Sequence, residues 1–335
     1  MPRPLMCLLT IAQRRVTAGL CLAAAVAGPL AAAQPAPVAY PVKPIRMLVP
    51  FAAGGGADIV MRPFVQKMID NIGQTVVYEN RGGAGGVLAG EIVARAAPDG
   101  YTLLVGAVSV MTVTPHLVKM PFDPLKDLAP ITKIAEVASV LAARPGFTPR
   151  TLKEIVAYAR ASPGKLIWGI TGIGAPGHLS LEKFRTEQTI DLTMVAYKGA
   201  GPGVLALLGG EVDIMSANPG VFIPHIKSGK LRPIGTSSAQ RMAIMPDVPT
   251  YAELGFPGYV FVSWYGLAAP LGTPEPVIKK LYEESARILK EPDIVTGFAR
   301  DGGLPGGNTP IAFAKDIRDE YAEAGRLLKR TKGKL

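Results

Sequence analysis

Residues Val49 to Asp58 read VPFAAGGGAD, with Gly54, Gly55 and Gly56 in a row between an apolar run and a segment of helical pattern. Glycine costs roughly 0.5–1 kcal/mol relative to alanine inside regular structure, so such a run has a geometric reason. Either the backbone turns sharply or something approaches it closely. Successive amides in a glycine turn, joined to the positive end of a helix dipole, form an anion site that can wrap a carboxylate or phosphate. Each charge-assisted bond contributes roughly 1.5–3 kcal/mol net. Three or four of them, with some apolar burial, reach about −8 kcal/mol after association costs, which is micromolar affinity. Two more glycine turns carry the same potential: ENRGGAGG at 79–86 and GITGIGAPGH at 169–178. A tight turn without a ligand remains the alternative at any one of them.

Other chemistries fit the residues poorly. Gly172-x-Gly174-x-x-Gly177 matches a dinucleotide fingerprint, but Pro176 interrupts the turn and Asp191 precedes the next strand instead of ending it. Gly54–Gly56 do not lead into Lys-Ser/Thr, so the run is not a nucleotide loop. His116, His178 and His225 are far apart, and His178 with Glu182 makes two potential metal ligands where a site needs three. No G-x-S-x-G elbow marks a serine hydrolase. His178, at a helix start beside a glycine turn, either donates to a ligand carboxylate or serves as a packing or capping residue. No metal or cofactor is expected.

The elements that must position these turns alternate between short β-type runs and helical segments. IRMLVPF and TVVYEN are strands flanking the helix DIVMRPFVQKMIDNIG, with Asp58 as expected N-cap, Gly73 as C-cap and Pro63 as a possible kink. YTLLVGA, ASVLAARP, KLIWGIT, DLTMVAY and VDIMSA are further strands. Thr151 and Glu154 form a capping box, and two late helices each open on Thr-Pro, at Thr273 and Thr309. Such alternation predicts an α/β fold with mostly parallel sheets. In open α/β sheets ligands bind beyond the carboxyl ends of strands, where the glycine turns fall. With no linker in the sequence, the chain is expected to cross between two domains more than once.

The 335 residues, 48% hydrophobic and 19% charged, suit a folded two-domain protein. The first 33 read as an export signal: Arg3, Arg14 and Arg15 precede an apolar run, and Ala31–Ala33 supply small residues for cleavage. Cys7 and Cys21 fall inside it, so the mature chain is expected to lack thiols. Beyond it, 33 Lys+Arg face 26 Asp+Glu, an excess of +7 that suits capture of anions. The basic residues are scattered apart from the tail GRLLKRTKGKL, without the aromatic interleaving that single strands require, so no nucleic-acid partner is expected.

The ordered blocks YPVKPIRMLVPFAAGGGADIVMR, VYENRGGAGG, PDGYTLLVG, YKGAGPGVLALLGGEVDIM, PDVPTYAELG and SWYGLAAPLGTP resemble the Bug family, the TctC-like solute-binding proteins of tripartite tricarboxylate transporters. The resemblance runs from Tyr40 to about Arg330. It implies a periplasmic, two-lobed type II binding protein that closes on a small organic acid, feeds membrane transporter subunits and is expected to be a monomer. In that family two strand-helix loops, one per lobe, hold a ligand carboxylate, partly through bridging water. Those loops fall on Phe51, Ala52 and onward to Asp58, and on Thr171 to His178. The expected lobes are 34–137 with 240–335, and 138–239.

On this reading the backbones of Gly54, Gly55, Gly56, Ala57, Gly172 and Gly174 donate to the ligand, while Asp58 caps and orients its helix. Ser109, Tyr197, Asn218, Ser263 and Trp264 are candidates for the rest of the cleft. Two departures bear on specificity. Ala175 stands where relatives often carry Ser. Ser216 and Ala217 stand where an aromatic and then an acidic or amide residue are common, so a ligand ammonium would lack a counter-charge. The ligand expected is a non-amino organic acid, either a di- or tricarboxylate or an aromatic acid. A receptor reporting to a sensor kinase, or a secreted enzyme on the same fold, are the alternatives.

Overall fold

The computed structural model describes residues 40–330. The expected export signal, both cysteines and the last five residues of the basic tail lie outside the described residues. Among the described residues, eleven strands and nine α-helices assemble around two sheets. In the first, β1 (Ile45–Val49) pairs parallel with β2 (Val76–Asn80) and β3 (Thr102–Ala107). Three antiparallel neighbours, β10 (Val262–Pro270), β4 (Leu128–Ala138) and β11 (Gly303–Pro305), complete it in the order β11-β4-β10-β3-β1-β2. In the second, β6 (Ile167–Ile170) pairs parallel with β7 (Thr193–Ala196) and β8 (Ile214–Ala217). Antiparallel β5 (Val140–Ala143) lies between β8 and β9 (Arg232–Thr236).

The two-lobed α/β arrangement follows the expected pattern, but the sheets are mixed where mostly parallel ones were expected. The reason lies in the crossings. β4 runs through the single residue Ser139 straight into β5, and β10 brings the chain back; β5 enters the second sheet, and β10 the first, against the parallel strands. The stretch ASVLAARP therefore begins on the last residue of β4 in one sheet and forms β5 in the other.

Helices α1 (Gly56–Ile72), α2 (Val87–Ala94), α7 (Glu275–Ile288), α8 (Pro292–Arg300) and α9 (Pro310–Arg330) accompany the first sheet, and α3 (Leu152–Ala161), α4 (Pro176–Glu187), α5 (Ala200–Gly209) and α6 (Pro219–Lys227) the second. α1 begins three residues earlier than expected: its N-cap is Gly55, in the extended conformation, where Asp58 was expected, and it continues through Pro63. Gly73 closes it in the left-handed conformation, its N–H reaching the Ile69 carbonyl at 3.0 Å. Thr151 caps α3 by accepting from the Glu154 amide at 3.2 Å, as the capping box requires.

The second lobe buries an aromatic cluster in which Phe184 contacts Trp168, Tyr251, Phe256 and Tyr259. Full burial of such a side chain is worth roughly 1.5–3 kcal/mol. This corrects the expected lobe boundary. Residues 240–260, assigned from sequence to the first lobe, place Met245, Val248, Tyr251, Phe256 and Tyr259 in the core of the second. Burial of these large side chains outweighs the polar character of the intervening loop, so the chain returns to the first sheet near Val262.

Candidate functional site

Phe51, Gly55, Gly56, Ala57, Ser109, Thr171, Ala175, Asn218 and Ser263 meet around one cavity between the two sheets. The cavity offers about 30 Å³ to the centres of water-sized molecules, room for about two waters in this closed arrangement. It opens beside a chamber of about 230 Å³ that Gly172 and Tyr197 line, and the two share Phe51, Ser109, Thr171 and Ala175.

Four helix starts converge on the central cavity. Gly56 and Ala57 open α1, Pro176 opens α4 after Ala175, Ala200 opens α5, and Asn218 is the N-cap of α6. None has a side-chain cap, whereas α3, away from the cavity, has one. The first amide of α1 to bond inside its helix is that of Asp58, to the Gly55 carbonyl at 3.0 Å. The amides of Gly56 and Ala57 therefore have no intrahelical acceptor. The positive ends of four helix dipoles meet a cavity with no charged side chain among its described lining residues. Ser109 lies at the same wall, 3% exposed, and its Oγ has no hydrogen-bond partner among the described residues. Taken together these groups make a site for an anion that accepts several hydrogen bonds.

The three glycines serve different ends. Gly54 has φ +77°, the left-handed region that disfavours a side chain. Gly56 is helical, but a Cβ there would lie 2.5 Å from Asn218 Nδ2 of the other lobe. The loop before α1 is tied down on both sides. Asn80 Nδ2 donates to the Phe51 carbonyl at 3.1 Å, and the Ala52 N–H donates across the cleft to the Lys198 carbonyl at 2.9 Å.

Several expected ligand contacts are engaged elsewhere. The Gly54 N–H donates to Asp58 Oδ2 at 2.7 Å, so it is not free for a ligand. Asp58, 5% exposed, also accepts from Tyr78 Oη at 2.9 Å and Asn80 Nδ2 at 3.0 Å, and faces Arg62 at 3.5 Å. It orients the glycine turn from behind. Ala52 is spent on the interlobe bond. The Gly174 N–H donates to His178 Nδ1 at 3.1 Å. His178 is fully buried and lines neither chamber; burial pushes its pKa down to about 4, so it is a neutral ring that holds the turn. Trp264 points to the opposite face of β10, where its Nε1 donates to Glu320 Oε2 at 2.6 Å and its ring packs on Phe313.

Sequence reasoning missed Ala107, Ser139, Ala200 and Tyr265 at this cavity. Tyr265 was within reach, because strand side chains alternate and Ser263 and Tyr265 share a face that excludes Trp264. The Tyr265 hydroxyl accepts from Asn218 Nδ2 at 3.0 Å, linking the lobes, and burial pushes its pKa up to about 12.

Residues 60–332 match the family described as tripartite tricarboxylate transporter family receptor, TctC. Protein BugT of Bordetella pertussis (strain Tohama I) is 35% identical over 301 residues, 88% of this chain and 91% of that protein. Among solved structures, Rpa4515 of R. palustris with adipate is 30% identical, with a TM-score of 0.84 over 88% of this chain and 98% of its own. MatC (Rpa3494) from Rhodopseudomonas palustris with bound malate is 34% identical, with a TM-score of 0.82 over 86% of this chain and all of its own. The family is one of transporter receptors, not enzymes. With its fold, its paired glycine turns and a family match across most of its length, the chain belongs to the TctC, or Bug-type, receptors of tripartite tricarboxylate transporters.

Proposed function

We propose that this chain is an exported, periplasmic solute-binding protein that captures a small organic carboxylate lacking an amino group and delivers it to the membrane subunits of a tripartite tricarboxylate transporter. The observation that carries the reading is the convergence of four uncapped helix starts, with the unpartnered Ser109 hydroxyl, on a cavity without charged side chains. The amides of Gly55, Gly56, Ala57 and Ala200 and the hydroxyls of Ser109, Thr171 and Ser263 supply donors; Gly172 and Tyr197 border the adjoining chamber, where the rest of the ligand extends. Asn218 and Tyr265 hold the facing lobes in register.

An ammonium on the ligand would meet helix N-termini of its own sign, and the nearest carboxylate, Asp58, is already committed behind the loop. An uncompensated buried charge costs several kcal/mol, enough to reject amino acids. The relatives solved with adipate and with malate hold acids of the class proposed. Mass spectrometry of ligand released from protein purified without added solute is the test. A carboxylic acid without an amine supports the reading, and a bound amino acid or a neutral sugar refutes it.

A further inference from the structure

A second cavity, of about 270 Å³, lies behind the first. The turn Ser109–Val113 and Pro176 partition the two: Ser109 faces the central cavity, Val108, Thr112 and Val113 face the second, and Pro176 lines both. Its walls come from both lobes and from the returning chain. Leu179 of α4, Phe261 ahead of β10, and Ala324 and Leu327 of α9 make most of it apolar. The charged groups among its lining residues are Glu320 and Glu323, one helical turn apart on α9.

Glu320, half-buried, accepts from Trp264 Nε1 through Oε2 at 2.6 Å. Burial raises its pKa, and the field of Glu136 and Asp316 acts in the same direction. The cation acting on it, Lys133, has a side chain 11% exposed and is held by Glu136 at 2.6 Å and Asp316 at 3.5 Å, so it is already matched. A mostly apolar chamber edged by the half-buried Glu320 and the exposed Glu323 offers an apolar wall and a negative field together, which suits an organic cation and disfavours an anion.

We propose that this cavity binds a small organic cation, an ammonium on an apolar body, with its charge at Glu320 and Glu323 and its body against Leu179 and Phe261. It is a free small molecule, of the size that a chamber of about 270 Å³ admits. The site is distinct from the carboxylate cavity and opposite to it in sign.

The two tryptophans of the chain, Trp168 and Trp264, make the test direct. In the ¹⁵N-labelled protein, phenethylamine is expected to shift the Trp264 indole N–H signal saturably and to leave that of Trp168 in place. The isosteric alcohol 2-phenylethanol is expected to bind about ten-fold more weakly, a difference of about 1.4 kcal/mol. The E320Q/E323Q variant keeps a carbonyl acceptor for Trp264 and is expected to lose the same ten-fold for the amine. The single variant E323Q, at an exposed position, is expected to lose about three-fold. Equal binding of amine and alcohol, unchanged amine affinity in the double variant, or a shift confined to Trp168 overturns the proposal.

Discussion

His178 shows how one buried side chain can hold a glycine turn in place. Its Nδ1 accepts the Gly174 amide and its Nε2 has no partner among the described residues, in full burial. The pKa near 4 lies below the value of about 6.5 for an unfolded histidine, so the unfolded chain binds the extra proton between those values. Its contribution is complete above pH 6.5 and is lost as the pH falls toward 4, by roughly 3 kcal/mol. Glu182, raised by burial, titrates with the opposite sense, so the wild type is best compared with a variant. His178→Asn keeps an acceptor for Gly174 and removes the titration. Urea unfolding at pH 7 and pH 4.5 should show the wild type losing about 2–3 kcal/mol more stability than the variant over that interval. Equal losses would mean that the ring is protonated in the fold.

At the scale of elements, the helix starts decide the site. Ala175 is the N-cap of α4 and lines the cavity, yet an alanine cannot cap. Ala175→Ser should stabilise the fold by about 1 kcal/mol in urea unfolding and tighten carboxylate binding several-fold in calorimetry. No change in either would mean that the α4 start is capped by other means. The glycine turns were legible in the sequence because conformation and close approach demand glycine there, as at Gly54 and Gly56. Individual amides were not. Whether Gly54 or Gly174 donates to a ligand depends on where Asp58 and His178 aim, which spacing alone leaves open. Tyr265 and Trp264 exchanged roles because the strand register of β10 sets the face, and adjacent residues face opposite ways. The lobe boundary shifted by about twenty residues for a similar reason: Tyr251, Phe256 and Tyr259 look loop-like in sequence and join a core only through partners far along the chain.

In the whole molecule, closure brings backbone against backbone, with the Ala52–Lys198 bond on one rim and Gly56 against Asn218 on another. On the proposed reading, ligand contacts from both lobes stabilise this state by mass action. A Cβ at residue 56 also comes within 2.8 Å of Asn218 Cβ, so the neighbour must move for the lobes to meet. Gly56→Ala should weaken ligand affinity about ten-fold while leaving the melting temperature of the unliganded protein unchanged or higher, since alanine is the better helix former. Unaltered affinity would show that closure does not need this approach. The central claim, that bare helix starts hold an ionised carboxylate, is tested most directly by one calorimetric titration series. It compares the acid released from the native protein with its methyl ester and with its α-amino analogue. The account predicts that only the free acid binds near micromolar and that both derivatives are weaker by about a hundred-fold or more. An ester that binds as tightly as the acid would contradict it.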